Sequence, residues 1–195
     1  MSEKKRCPWP TDIPIYLEYH DNEWGRPEYD DNKLFEMLIL EGMQAGLSWI
    51  TVLKKREAFR EAFDNFDPKK VALYDDEKIE ELMLNEKIIR NRMKINAAVQ
   101  NARAFLKIIE KHGSFSKMIW EYVSNEPITG HWKRIEDAPT TTLISDRISK
   151  DLKKLGFNFV GSTIIYSFMQ AVGMVNDHLK DCFVCEELDL REKQH

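Results

Sequence analysis

The chain's pattern predicts an all-α fold, on three observations. Apolar residues recur at helical spacing along most of the length. Capping residues stand where those stretches begin, and glycines where they end. No segment alternates with period two for long enough to make a strand. With 195 residues and 43% hydrophobic content, the chain can bury a good core. The expected organisation is one helical domain over 1–185, built as a single body or as two lobes around a cleft. A charged tail over 186–195, "EELDLREKQH", is expected to fray.

The elements follow in order. The stretch 18–25, "EYHDNEWG", has no hydrophobic period and reads as a loop, although it crowds a histidine, three acids and two aromatics together. Asp30 or Asp31 can cap a helix over 32–44, which Gly42 and Gly46 then break. Ser48 can cap the next, over 49–63, ending before Asp67-Pro68. Helices over 75–84 and 87–113 follow, the second closing on Gly113. A short helix over 115–123 leads into a loop over 124–141. Helices over 145–155 and 162–175 then flank a tight turn, "GFNFVG".

Composition excludes several classes. No stretch approaches the apolar length of a membrane span, and the basic start "MSEKKRCPWP" has no apolar run behind it, so it is not a signal peptide. Three cysteines suit free thiols or metal ligands rather than a disulfide framework, and the cytoplasm is the expected compartment. The net charge of −4 argues against a basic coat. Local basic runs over 87–107 and 147–154 read either as solvated helix faces or as phosphate contacts.

Four residues suggest a metal. Cys7 and His20 lie near one end; His178 and Cys182 lie near the other, at i, i+4, one turn apart if helical. Two thiolates and two imidazoles suit tetrahedral zinc with a filled shell, hence a structural ion. Chance placement is the competing reading, and Cys185 is a competing ligand. His112, His131 and His195 show no such pattern.

Glu41 is the second anomaly. It stands at i+7 from Leu34 and i+3 from Leu38, near the middle of an apolar stripe, where a carboxylate is costly to bury. Glu36 falls off that stripe. Trp9, Tyr16, Tyr19, Trp24 and Trp49 crowd nearby sequence; they are either core or the walls of a cage for a flat, cationic ring. A stripe that ends early, with Glu41 exposed, is the plainer alternative. Near the C-terminus Gly156 closes a basic helix and Gly161 opens another. Backbone N–H groups there, beside Lys153 and Lys154, form either a phosphate site or an ordinary helical hairpin.

Taken together, "YHDNEWG", "LFEMLILEGMQAGLSWITVLKKRE", "LKKLGFNFVGSTIIYSFMQAVGMVNDH" and the Cys7/Cys182 pair resemble the 3-methyladenine DNA glycosylase I family over nearly the whole chain. The resemblance implies a helix-hairpin-helix glycosylase fold with a zinc site joining the terminal segments through Cys7, His20, His178 and Cys182. It implies that Glu41 contacts an extruded base, with Tyr19 and Trp49 nearest and Trp9, Tyr16 and Trp24 completing the walls. Gly46 and Leu47 would fill the gap left in the DNA, and Gly156, Val160 and Gly161 with Lys153 and Lys154 would hold phosphate. It gives Asp177 no catalytic part and leaves Cys185 a spare thiol.

The implied reaction is hydrolytic excision of N3-methyladenine from alkylated double-stranded DNA, in base-excision repair, releasing the free base and leaving an abasic site. With no lysine nucleophile in the pocket segments, no strand cleavage is expected. A bacterial, cytoplasmic monomer is the corresponding expectation. Two rivals differ in class: a zinc-stapled DNA-binding module without catalysis, which would have no use for a caged carboxylate, and a zinc hydrolase, which a filled metal shell disfavours.

Overall fold

The structure, a computed structural model, describes residues 4–192. It is mostly helical, as the pattern predicts. The first, α1 (Pro14–Asn22), is a correction: most of the stretch read as a loop forms its last turns. Pro14 presets the first turn. The inward face carries Tyr16, Tyr19 and His20 rather than aliphatic side chains, so hydropathy gives no period there.

At the centre lies α2 (Asp31–Gln44). Both candidate caps are used, for different helices. The Asp30 carboxylate accepts the Lys33 N–H at 3.0 Å and caps α2. Asp31 reaches across to α8 (Phe115–Trp120) and accepts the N–H groups of Phe115 and Ser116. Gly42 does not break α2; it lies within the helix and lets Phe159 pack against the backbone. Every residue from Leu34 to Met43 is buried, so the buried face is far wider than one stripe. That brings in Glu36, which accepts from Arg60 at 2.8 Å and also from Arg56, pairing its buried charge.

The helix expected over 49–63 divides into α3 (Trp49–Leu53) and α4 (Arg56–Ala62). The Ser48 hydroxyl bonds the Thr51 hydroxyl instead of capping. Short α5 (Pro68–Val71) and α6 (Asp76–Leu84) lead to α7 (Arg92–His112). Asn91 caps α7 by accepting the Lys94 N–H, so it starts later than the apolar pattern alone suggests. Stacked Phe105 and Phe115, with Phe35 edge-on, join α2, α7 and α8.

Two-residue strands β1 (Ile128–Thr129) and β2 (Val175–Asn176) pair in parallel. They are too short to show alternation, and β2 ends the last predicted helix early. Between them come α9 (Leu143–Lys154), opened by a reciprocal Thr142/Ser145 cap, and α10 (Ser162–Ala171). The tail expected to fray continues as α11 (Phe183–Glu192), with Leu188 buried; 193–195 lie outside the described residues. Within the described residues no helix is long and apolar enough to cross a membrane.

Gly173 ties the second half to the first. Its φ is +70°, and a Cβ there would lie 2.2 Å from the Arg26 carbonyl carbon, a backbone atom held nearby by the Glu28 N–H to Val172 C=O bond. Gly173→Ala is expected to cost about 2–3 kcal/mol, read as a lower thermal midpoint. A midpoint equal to the parent's would show that this crossing yields freely.

Candidate active site

The end of α2 and the end of α1 converge on a cavity of about 220 Å³. That is below the roughly 300–1,000 Å³ of pockets for larger ligands and suits one small flat ring. Glu41, Tyr19, Trp49, Trp9, Tyr16 and Trp24 all line it, so all six residues singled out for a base pocket meet in one place. Tyr19 and Trp49 are buried, 5.3 Å apart at 46°; Trp9 packs against Tyr16 and Trp24, each at 5.0 Å.

Glu41 is 4% exposed, which excludes the plainer reading of an early-ending stripe. Its Oε2 has no hydrogen-bond partner, and neither has the buried Nε1 of Trp49. Burial pushes the Glu41 carboxyl up to about 8. Burial, and then the Glu41 charge, holds the Tyr19 phenol well above its ordinary value, so Tyr19 stays a neutral hydroxyl. An unpaired acceptor and an unpaired donor on aromatic walls are poised for a planar, polar ligand of positive charge.

The remaining wall was not legible in the sequence. Asp177, Gln170, Ile135 and Ala138 also line the cavity. Asp177 is saturated by donors: Tyr166 Oη at 2.6 Å, Gln170 Nε2 at 2.8 Å and Trp132 Nε1 at 2.7 Å. These bonds fix the carboxylate and tie the long loop to α10, and they leave Asp177 a structural anchor. Trp132 sits close over Gly130, where a Cβ would meet its Nε1 at 2.0 Å.

Beside the cavity a second hollow is lined by Glu41, Gln44, Ala45, Gly46, Leu47, Thr163, Ile164 and Ser167. Glu41 and Gln44 border both spaces. Gly46 has φ +79° with open space around it, and Leu47 is an exposed apolar side chain beyond it. Across the hollow stands the start of α10. Lys153 and Lys154 are exposed at the end of α9, and Gly161 is the N-cap of α10. Val160 is 1% exposed, so its side chain faces inward, while Asn158 in the same turn is exposed.

Cys7, His20, His178 and Cys182 also meet, all buried, with donor atoms within 4.8 Å of one another. The expected helical turn between His178 and Cys182 is corrected: α11 begins at Phe183, and the two are brought together by a turn in which the Cys182 N–H bonds the Leu179 carbonyl. The fit to a tetrahedral ion is good. Sulfur–nitrogen separations are 3.6, 3.6 and 3.5 Å, against about 3.6 Å for ordinary zinc–sulfur and zinc–nitrogen lengths at a tetrahedral angle. The far ring nitrogens are engaged: His178 Nε2 donates to the Trp24 carbonyl and His20 Nδ1 to Asp21, both at 2.8 Å. Each imidazole therefore turns a lone pair inward. Burial would raise Asp21, but hydrogen bonds from Arg6 and His20 hold it below its ordinary value. Cys185 lies outside this set, with burial raising its thiol to about 11; His131 and Asp189 stand near it, a grouping no spacing announced.

A family model described as methyladenine glycosylase matches residues 9–185. The chain is 52% identical to DNA-3-methyladenine glycosylase 1 of Escherichia coli over 178 residues, covering 91% of this chain and 95% of that one. It is 51% identical to a DNA-3-methyladenine glycosylase of Haemophilus influenzae, covering 91% and 96%. A solved variant of 3-methyladenine DNA glycosylase I in complex with 3-methyladenine superimposes with a TM-score of 0.90 at 43% identity, covering 92% and 96%.

Proposed function

The chain belongs to the methyladenine glycosylase family, and from that premise we propose how its own residues excise N3-methyladenine from DNA. The protein is a DNA glycosylase, an N-glycosyl hydrolase acting in base-excision repair. The observation that carries the proposed mechanism is Glu41: buried, without a partner on Oε2, and set among aromatic rings.

N3-methylation gives adenine a positive charge, which weakens the bond from N9 to C1′. The enzyme's work is to turn the lesion out of the stack and hold it. Tyr19, Trp49, Trp9, Tyr16 and Trp24 offer ring faces that attract a cation, and Glu41 offers a negative oxygen. As the N9–C1′ bond breaks, its electron pair goes to the base, which departs neutral. Water adds to the oxocarbenium-like C1′ and its proton passes to solvent or to the Glu41 carboxylate. Neutral adenine gains nothing from the carboxylate, which supplies selectivity.

The hollow beside the pocket supports the DNA reading. Leu47, carried past Gly46, would fill the gap that the turned-out nucleotide leaves. The turn from Gly156 to Gly161, with Lys153 and Lys154, would receive phosphate on backbone N–H groups, in the manner of a helix-hairpin-helix element. Cys7, His20, His178 and Cys182 would hold one zinc ion, supplying cohesion between the two ends rather than Lewis acidity, since four protein ligands fill its shell. Among the described residues that line the cavity there is no lysine, and the proposed reaction is a hydrolysis that leaves the strand uncut.

Base release from methylated duplex DNA, resolved by chromatography, tests this. The parent is expected to release 3-methyladenine in strong preference to 7-methylguanine, and Glu41→Gln to lose most of that release. Equal release by both proteins would remove Glu41 from the mechanism. Folded protein that binds duplex DNA but frees no base would favour a binding module.

A further inference from the structure

Two buried polar side chains of α7 hold backbone in the two segments read as facing DNA. Lys94 is 8% exposed, and its ammonium donates to the carbonyls of Met43 at 2.8 Å and Ala45 at 2.7 Å. These lie at the C-terminal end of α2, where carbonyls lack helix partners and a cation is favoured. The next residues are Gly46 and Leu47. Asn101, 3% exposed, grips the Asn158 backbone twice: Nδ2 donates to its carbonyl at 3.0 Å and Oδ1 accepts its N–H at 2.8 Å. Asn158 sits in the turn between α9 and α10. Beside it Phe159, held at φ +54°, packs on Gly42 of α2.

Lys94 and Asn101 are seven residues apart, so they share one face of α7 about 10 Å apart along its axis. Ala97 and Ala98 between them line the same cleft with Gly42 and Phe159, keeping the three elements close. Packing alone would not need a buried ammonium.

We propose that α7 sets the spacing between the Gly46-Leu47 loop and the turn carrying Gly156 and Gly161, with Lys94 and Asn101 as the positioning residues for duplex DNA. The inference rests on the reading that both segments touch DNA. With either clamp gone, one segment keeps its sequence but loses its register, and the protein cannot meet the gap and the phosphates together. The aromatic walls of the base pocket (Trp9, Tyr16, Tyr19, Trp24 and Trp49) come from segments that neither clamp bonds.

Lys94→Met and Asn101→Ala test it through two affinities: for methylated duplex DNA, and for free 3-methyladenine by tryptophan fluorescence. Each variant is expected to bind duplex about 10-fold more weakly and to raise KM far more than it lowers kcat, with free-base affinity unchanged. The double variant should lose less than the product of the two, because spacing is lost once. Lys94→Arg should restore part of the effect. Ile79→Ala, a core change on α6, serves as a stability control and should lower the thermal midpoint without touching duplex affinity. Leu47→Ala separates the two readings. If it weakens duplex binding while Lys94→Met and Asn101→Ala do not, the spacing role is overturned alone; if it too has no effect, the DNA reading of the loop fails and this inference with it. Equal losses in duplex and free-base affinity would also overturn it, as a general loosening.

Discussion

Glu41→Gln is expected to make the free protein more stable as pH rises, while removing about 10²-fold or more of its activity. The sign follows from the carboxyl's two environments. In the unfolded chain Glu41 titrates near 4.5; in the fold burial pushes it up to about 8. Between those values the native state holds a proton that the unfolded state has released. This group's contribution to stability is therefore unpenalised below about 4.5, declines through the window, and is fully lost above about 8. By pH 7 the cost is on the order of 3 kcal/mol. Glutamine fills the same space without titrating, so the gap between the thermal midpoints of variant and parent should widen from pH 5 to pH 8. Parallel curves would mean that Glu41 is not held in a dry site.

Activity should move the other way. The lesion's charge is permanent, so only the enzyme must lose a proton to present a carboxylate to it. For the parent, kcat/KM is expected to climb as pH rises toward about 8 and then level. Glu41→Gln should be flat over that range as well as slow. A flat parental profile with a slow variant would assign Glu41 hydrogen bonding rather than charge. The site thus stores instability where it needs selectivity, a cost that the cationic base relieves on binding.

Glu41 was legible because a helix has a simple period, and a carboxylate inside an apolar stripe stands out on one line of sequence. The same logic missed Glu36, since α2 is buried on more than one face and the pairing arginines come from α4. Lys94 was hidden in a basic run that reads as solvated surface; only the fold shows its amine capping another helix. His178 and Cys182 were rightly paired for a partly wrong reason, because a turn brings them together where a helix was expected. The order of α1 was invisible: aromatic and imidazole side chains can form a buried face without raising the hydropathy. Asp177, Trp132 and Ile135 could not be foreseen either. Their pairing depends on a long loop folding back, and no local spacing records such a contact.

If Cys7, His20, His178 and Cys182 hold the proposed zinc ion, its loss should undo the pocket from its edge rather than the whole core. Besides the four residues, the segment carrying Cys7 is tied to the rest by Arg6 with Asp21 at 2.8 Å, by Lys5 with Asp181, by the Phe183 N–H to the Lys5 carbonyl, by Lys4 and Arg6 over the Phe183 ring, and by Trp9 on α1. The first two are partly or well exposed ion pairs, worth little each. A structural zinc ion is worth on the order of 10 kcal/mol of apparent binding energy, so it outweighs them together. Without an ion, four buried donor groups face one another. Trp9 lies two residues beyond Cys7 and packs at 5.0 Å on both Tyr16 and Trp24. Releasing Cys7 therefore releases a pocket wall. The α2, α7 and α8 core has ties of its own in the Phe35, Phe105 and Phe115 ring contacts, none of which involves a residue of this segment. Elemental analysis of the protein as isolated should give one zinc per chain. Cys182→Ala, or a strong chelator at elevated temperature, should give rapid amide exchange over 5–9 and 178–188, a 10-fold or greater loss of free-base affinity, and continued slow exchange in α2 and α7. Metal-free protein with parental exchange in both terminal segments and parental base affinity would show that the four residues hold together without an ion. Uniform loss of protection, α7 included, would instead make the clasp a condition of the whole fold.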